Sequence, residues 1–141
     1  MSIYEVQAAI KRLKKGKASA FDSLSNDILI ASSKSISPIL ASLFSKLIKF
    51  HYFPKLWTTG IIIPLHKGGE LDDPNNYRGI TLNSCLSKLF TLILNDRLNL
   101  FCELKGLIDC NQIGFRKGFR TSDHVFTLKT LVDKSFAEGK K

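Results

Sequence analysis

The apolar positions of this chain change period along its length, and each change predicts an element. At the N-terminus Ile3, Val6, Ile10 and Leu13 recur at helical spacing. Ser2 with Glu5 three residues later makes a capping box that opens this helix, and Gly16 is its natural stop. Ser37-Pro38 reads as an N-cap followed by proline at the first helical position. A second helix is expected from there to about Phe50, with Leu40, Leu43, Phe44, Leu47 and Ile48 as a broad apolar stripe. Pro54 and Trp57 sit in a short connector.

From Gly60 to Leu65 the period is lost in a β-branched run, Ile61-Ile62-Ile63, too short for an ordinary helix. It predicts a strand buried on both faces. Lys67 to Asn75 is turn chemistry throughout, and Asn76 to Leu82 returns as a second strand. The two form a hairpin with a long tip, Lys67 at one shoulder and Arg78 on the returning arm. Helical spacing resumes near Ser84 with Leu86, Leu89, Phe90, Ile93, Arg97 and Phe101, until Gly106 breaks it. The stretch from Gln112 to Arg120 follows neither period and reads as an ordered loop, with Phe115 as its buried anchor. Thr121 or Asp123 would cap a last helix carrying Phe126, Leu131 and Val132. The fold class is therefore α+β, mainly helical with one β-hairpin and room for a third short strand.

Composition changes the picture chiefly through charge. The 141 residues carry 21 Lys and Arg against 12 Asp and Glu, a formal net charge of +9. Such an excess points to a polyanionic partner, nucleic acid before an anionic membrane surface, although basic character also serves solubility alone. Lys11, Arg12, Lys14, Lys15 and Lys17 cluster where the first helix ends. They read equally as phosphate contacts and as solvated cations favoured by the helix dipole. Cys85, Cys102 and Cys110 have neither disulfide nor zinc spacing and read as idle thiols of a reducing compartment. His51, His66 and His124 show no ligand spacing, so no metal site is expected. No apolar run is long enough for a membrane helix, and the N-terminus lacks signal-peptide order. An intracellular protein, nuclear or cytoplasmic, is the expectation.

Three stretches in order carry a family resemblance. Lys15-Gly16-Lys17-Ala18-Ser19 with Asp22 is similar to a Gly-Lys-Ala-x-Gly-x-Asp opening. Ile63-Pro64-Leu65-His66-Lys67, then Asn76-Tyr77-Arg78-Gly79-Ile80-Thr81-Leu82, is similar to Ile-Pro-x-x-Lys and Asn-Tyr-Arg-Pro-Ile-Ser-Leu. Gln112-x-Gly114-Phe115-Arg116-x-Gly118 with Asp123 is similar to Gln-x-Gly-Phe-Arg-x-Gly-x-x-Thr-x-Asp. Together they resemble the reverse transcriptase of non-LTR, LINE-like and jockey-like retrotransposons, over nearly the whole chain. Ala20 departs from the family's glycine, and Gly79 from its proline.

The resemblance implies the fingers portion of a right-hand polymerase, an RNA-directed DNA polymerase whose palm holds magnesium through aspartates. Gly139-Lys140-Lys141 falls about where the first palm strand would begin. This stretch is thus expected to lack palm and thumb, to bind no cofactor itself, and to be inactive alone. Asp72-Asp73 is its one Asp-Asp pair and lies in turn chemistry, which makes it a decoy for a metal site.

The resemblance assigns Lys67 and Arg78 to the triphosphate of a deoxynucleotide, where a guanidinium fork and a compact ammonium suit phosphate oxygens. The alternative is a pair of solvated hairpin cations. Tyr77 reads as packing rather than base stacking. Arg116 has three readings: triphosphate, template, or a pin to Asp123 or Asp109. Lys117 and Arg120, with the cluster from Lys11 to Lys17, would meet RNA-template and DNA-primer phosphates without reading bases. The competing function is a non-enzymatic nucleic-acid-binding or interaction module derived from such an element.

Overall fold

The computed structural model describes residues 1–20, 22–109 and 111–139, so Cys110 and the terminal lysines lie outside the described residues. The element order is α1 (Ile3–Lys11), α2 (Asn26–Ala31), α3 (Ser33–Lys49), β1 (Ile61–His66), β2 (Tyr77–Leu82), α4 (Cys85–Leu104) and α5 (Thr121–Ala137). Short 3-10 turns cover Lys55–Thr58 and Pro74–Asn76. The mixed helix and strand content agrees with an α+β class. Among the described residues the sheet has two strands, and the third short strand is not formed. The chain divides into two compact units, Met1–Leu98 and Asn99–Lys141.

In the first unit α1 starts as the capping box requires: Glu5 N donates to Ser2 Oγ and Ser2 N to the Glu5 carboxylate. It stops at Arg12 rather than Gly16. The reason is competition from side chains beyond it. Asn26 Nδ2 donates to the Lys14 carbonyl and the Gly16 N–H to Asp27, which shapes 14–16 as a loop. Gly16 still takes a left-handed conformation, φ +65°, that its lack of a Cβ permits.

Helix α3 begins before Pro38, correcting the expected start at Ser37. Ser37 is fully buried and its hydroxyl donates one turn back to Ser33 O, so it cannot serve as a solvent-facing cap. Ile36 packs against the core and brings the preceding turn into the helix, with proline inside it. Helix α2, which sequence periodicity did not signal, spans one and a half turns capped by Ser25.

The core lies where α1, α2, α3 and the first half of α4 meet. Val6, Ile10, Leu29, Phe44 and Leu89 are essentially inaccessible. Phe44 packs on Phe90 at 5.2 Å and edge-on to Trp57 at 6.2 Å. Phe53 adds a second edge-on contact to Trp57 at 5.6 Å, closing an aromatic cluster under the connector. Two ion pairs clasp α1 to α4: Arg12 with Asp96, and Arg97 with Glu5.

Strands β1 and β2 pair antiparallel, with Leu65 opposite Arg78 and His66 opposite Tyr77. The strand expectation holds, but burial on both faces does not: Ile62 is 69% exposed and Leu65 52%. A β-branched run specifies extended backbone, whereas burial needs a layer stacked on the sheet.

The second unit holds the end of α4, the 112–120 loop and α5. Arg120 occupies the N-cap position of α5, and its N–H donates to Asp123 at 2.6 Å. Phe115 is fully exposed at φ +61°, which corrects its expected role as a buried anchor. The loop is instead held by Arg116. Among the described residues α5 buries none of its side chains.

Candidate nucleotide and nucleic-acid interface

The hairpin brings two of the sequence candidates together. Lys67 extends the ladder by donating its N–H to Asn76 O at 2.7 Å. Side chains alternate along a strand, so Ile63, Leu65 and Lys67 share a face with Ile80 and Arg78. Lys67 and Arg78 are diagonal neighbours, a relation that places Cβ atoms roughly 7 Å apart. Two long cationic side chains at that spacing can converge on one phosphate group. Lys67 Nζ lies 3.5 Å from Asn75 O, and among the described residues neither cation forms an ion pair.

Neighbouring side chains support the tip. Tyr77 packs on His66 at 5.1 Å and donates its hydroxyl to Leu71 O at 3.0 Å, a packing role as expected. Asn76 Nδ2 donates to Glu70 O, and Gly69 leaves room for that amide: a Cβ there would lie 2.7 Å from Nδ2. Asp73 Oδ1 accepts from the Asn75 backbone and side chain at 2.9 and 3.0 Å, so it is a turn residue. Among the described residues no group of three or more His, Cys, Asp or Glu could hold a metal ion. These carboxylates do not fit the magnesium site that the family's chemistry implies.

The hairpin base is tied down by a contact that sequence reasoning missed. Asp22 Oδ2 accepts from Ser84 Oγ at 2.6 Å, and the Ser84 carbonyl accepts the N–H of Lys88 in the first turn of α4. Ser84 is 3% exposed, so the bond is sheltered. The signal lay in Asp22 itself, the last position of the first motif, but its partner 62 residues away was not legible. Ala20 is not left-handed; among the described residues nearby, Gly16 and Ser23 are. Gly79 sits opposite Pro64, where a Cβ would come within 3.2 Å of Ile62.

The basic cluster divides. Lys11 ends α1, whereas Lys14, Lys15 and Lys17 lie on the loop that Asn26 and Asp27 pin, not on a helix. Arg12 is engaged by Asp96. In the second unit Arg116 makes a bidentate pair with Glu103, 2.9 and 2.7 Å, and donates to the carbonyls of Asp109 and Gln112. Its guanidinium also lies 5.3 Å from the Phe119 ring centroid. Arg116 thus pins the loop, through the Glu103 carboxylate and the carbonyls of Asp109 and Gln112. Lys117 and Arg120 flank it on the same loop without ion pairs among the described residues.

Electrostatics follow these pairings. Hydrogen bonds from Arg97, then the Ser2 N–H, bring the Glu5 carboxyl down to about 2, against a smaller opposing effect of burial. The Arg116 bond lowers Glu103 in the same way. Burial raises the Cys85 thiol, which keeps it protonated and unreactive.

Known proteins match the chain along nearly its full length. The probable RNA-directed DNA polymerase of transposon BS from Drosophila melanogaster is 31% identical over 135 residues, 95% of this chain. The putative 115 kDa protein of the type-1 retrotransposable element R1DM, from the same fly, is 32% identical over 141 residues, 98% of the chain. These matches support a fragment of a non-LTR retrotransposon RNA-directed DNA polymerase. The jockey polymerase of Drosophila melanogaster is 28% identical over 145 residues. The chain spans 13 to 16% of the length of these relatives. No protein-family model matches it. No helix among its described residues is long and apolar enough to cross a membrane.

Proposed function

We propose that this segment is the fingers part of an RNA-directed DNA polymerase with a right-hand fold, and that its hairpin holds the triphosphate of the incoming deoxynucleotide. The observation that carries the reading is the shared hairpin face of Lys67 and Arg78, free of any carboxylate partner among the described residues. Arg78 supplies a fork for two phosphate oxygens and Lys67 a compact charge. Arg116 would meet an anion only by releasing Glu103. Lys11, Lys14, Lys15 and Lys17, with Lys117 and Arg120, would follow RNA-template and DNA-primer phosphates, and Arg12 only by releasing Asp96. Catalysis needs the metal-binding aspartates of a palm, so the 141-residue chain by itself binds and does not polymerise. Its place of action is inside the cell, in nucleus or cytoplasm.

Two measurements test this. A fluorescent deoxynucleoside triphosphate titrated into the chain should bind weakly, and Arg78→Ala should weaken it about tenfold, the worth of a charge-assisted contact. Equal affinity for wild type, Arg78→Ala and Lys67→Ala would sink the hairpin assignment. Robust primer extension by the pure chain with magnesium would overturn the division of labour. The lysines of the 14–17 loop, which form no ion pair among the described residues, favour a second reading, a non-enzymatic nucleic-acid binder. Loss of polynucleotide binding in Lys14→Ala/Lys15→Ala, with no effect at Lys67 and Arg78 on any ligand, would select it.

A further inference from the structure

The turn that closes α3 has a feature the hairpin reading does not use. Helix α3 ends at Lys49, and the chain reverses through His51 at φ +51°, a left-handed conformation uncommon for a side chain with a Cβ. The turn is locked by His51 N to Ile48 O at 3.2 Å and Tyr52 N to Leu47 O at 3.0 Å. It is anchored on both sides, by buried Leu47 before it and by Phe53 against Trp57 and Phe90 after it. A fixed turn therefore holds two rings outward, Phe50 at 69% and Tyr52 at 60% exposure. Lys49 Nζ lies 5.8 Å from the Phe50 centroid.

The charge of the sequence that carries these rings is one-sided. From Ile28 to Gly69 the sequence has no Asp or Glu and five lysines, Lys34, Lys46, Lys49, Lys55 and Lys67. Three of them, Lys46, Lys49 and Lys55, bracket Phe50 and Tyr52. Rings presented rigidly among cations match a ligand that offers flat π-faces on a polyanionic backbone. A duplex hides its base faces in the stack, so the ligand is single-stranded.

We propose that this turn, Lys46–Lys55, is a stacking platform for single-stranded nucleic acid. Phe50 and Tyr52 take bases, and Lys46, Lys49 and Lys55 take the flanking phosphates. The site is separate from the hairpin and stands whether or not Lys67 and Arg78 bind triphosphate.

The test is fluorescence anisotropy of a labelled twelve-residue oligothymidylate with the 141-residue chain, beside an abasic oligomer of equal length and charge. Emission of Trp57, the chain's single tryptophan, monitors the core under the turn in every variant. Phe50→Ala and Tyr52→Ala should each weaken oligothymidylate binding about tenfold, as lost stacking does. Tyr52→Phe should restore it and Phe50→Leu should not. The abasic oligomer should bind distinctly more weakly than oligothymidylate. Equal binding of the two oligomers, unaltered affinity in both alanine variants with native Trp57 emission, or no binding by wild type would each overturn the proposal. Self-association through the exposed rings in place of nucleic-acid binding would overturn it as well.

Discussion

The clasp between Glu5 and Arg97 can be broken while the capping box and the helix packing are kept, which makes its contribution measurable. Arg97→Met retains the aliphatic bulk and removes the fork, and Glu5→Gln retains a capping side chain without charge. The fall of the Glu5 carboxyl from 4.5 to about 2 sets a ceiling of about 3 kcal/mol on everything that favours its ionised form. Part of that belongs to the Ser2 N–H, which survives in Arg97→Met. Solvent screens the rest, since the Arg97 and Glu5 side chains are 45% and 35% exposed. Roughly 1 kcal/mol is the expected loss for Arg97→Met at neutral pH. The folded-state pKa lies below the unfolded one, so this stability is complete above about pH 4.5 and disappears as pH falls toward 2. Urea melts followed by Trp57 emission, for wild type, both single variants and the double variant, give the coupling at pH 7 and again near pH 2.5. A coupling of about 0.5–1 kcal/mol at pH 7 that shrinks in acid is expected. No coupling at pH 7, or one that persists undiminished at pH 2.5, would refute the assignment of the Glu5 shift to Arg97.

Three further outcomes follow from packing. Phe44→Ala should cost about 3–5 kcal/mol, because it empties the centre of the aromatic cluster, and a melt unchanged by it would contradict the core described here. Gly60→Ala should loosen the hairpin base, since its Cβ would meet Thr81 Cγ2 at 2.5 Å and Asn83 Oδ1 at 2.6 Å; unaltered amide exchange through β1 and β2 would count against this. Amides of α5 should exchange well before those of α3, as a 17-residue helix that buries nothing is marginal in water, and equal protection of the two in dilute protein would be inconsistent with an uncovered α5.

Elements with local signals were legible in the sequence. The Ser2–Glu5 box and the long helix after Ser84 rest on contacts within a few residues, and the hairpin on a tip whose own hydrogen bonds are local. Errors arose where a distant partner decides. Asn26 and Asp27 end α1 before Gly16, and the burial of Ser37 carries α3 past a proline that by local rules marks a beginning. The two-faced burial expected for β1 failed for the same kind of reason, because a run of isoleucines specifies a strand but not what lies over it. Phe115 looked like an anchor by residue type, yet its φ of +61° turns the ring outward while Arg116 holds the loop. At the site, motif order was enough to single out Lys67 and Arg78. Only the register showed that they share a face.

The use of the two cations differs, and the difference bears on which of them meet a ligand. Of the five arginines, Arg12, Arg97 and Arg116 are spent on carboxylates of the same chain. Among the described lysines the one ion pair is Lys134 with Glu138, a stretched contact of 4.0 Å. Carboxylates are also drawn inward: Asp22, Asp27, Asp73 and Asp123 all accept hydrogen bonds from backbone N–H groups. The planar fork is the better group for a fixed internal pair, and the hydrated ammonium the better one to leave in solvent. The net positive charge is therefore presented to partners mainly by lysine, as a field that attracts polyanions without fixing their geometry. Arg78 breaks that division. It sits on an exposed strand with no carboxylate paired to it among the described residues, beside a lysine on the same face. A fork left unpaired where the other paired arginines serve the fold has its geometry available for a planar or tetrahedral anion, which is why Arg78 has a stronger claim on the triphosphate than Arg116.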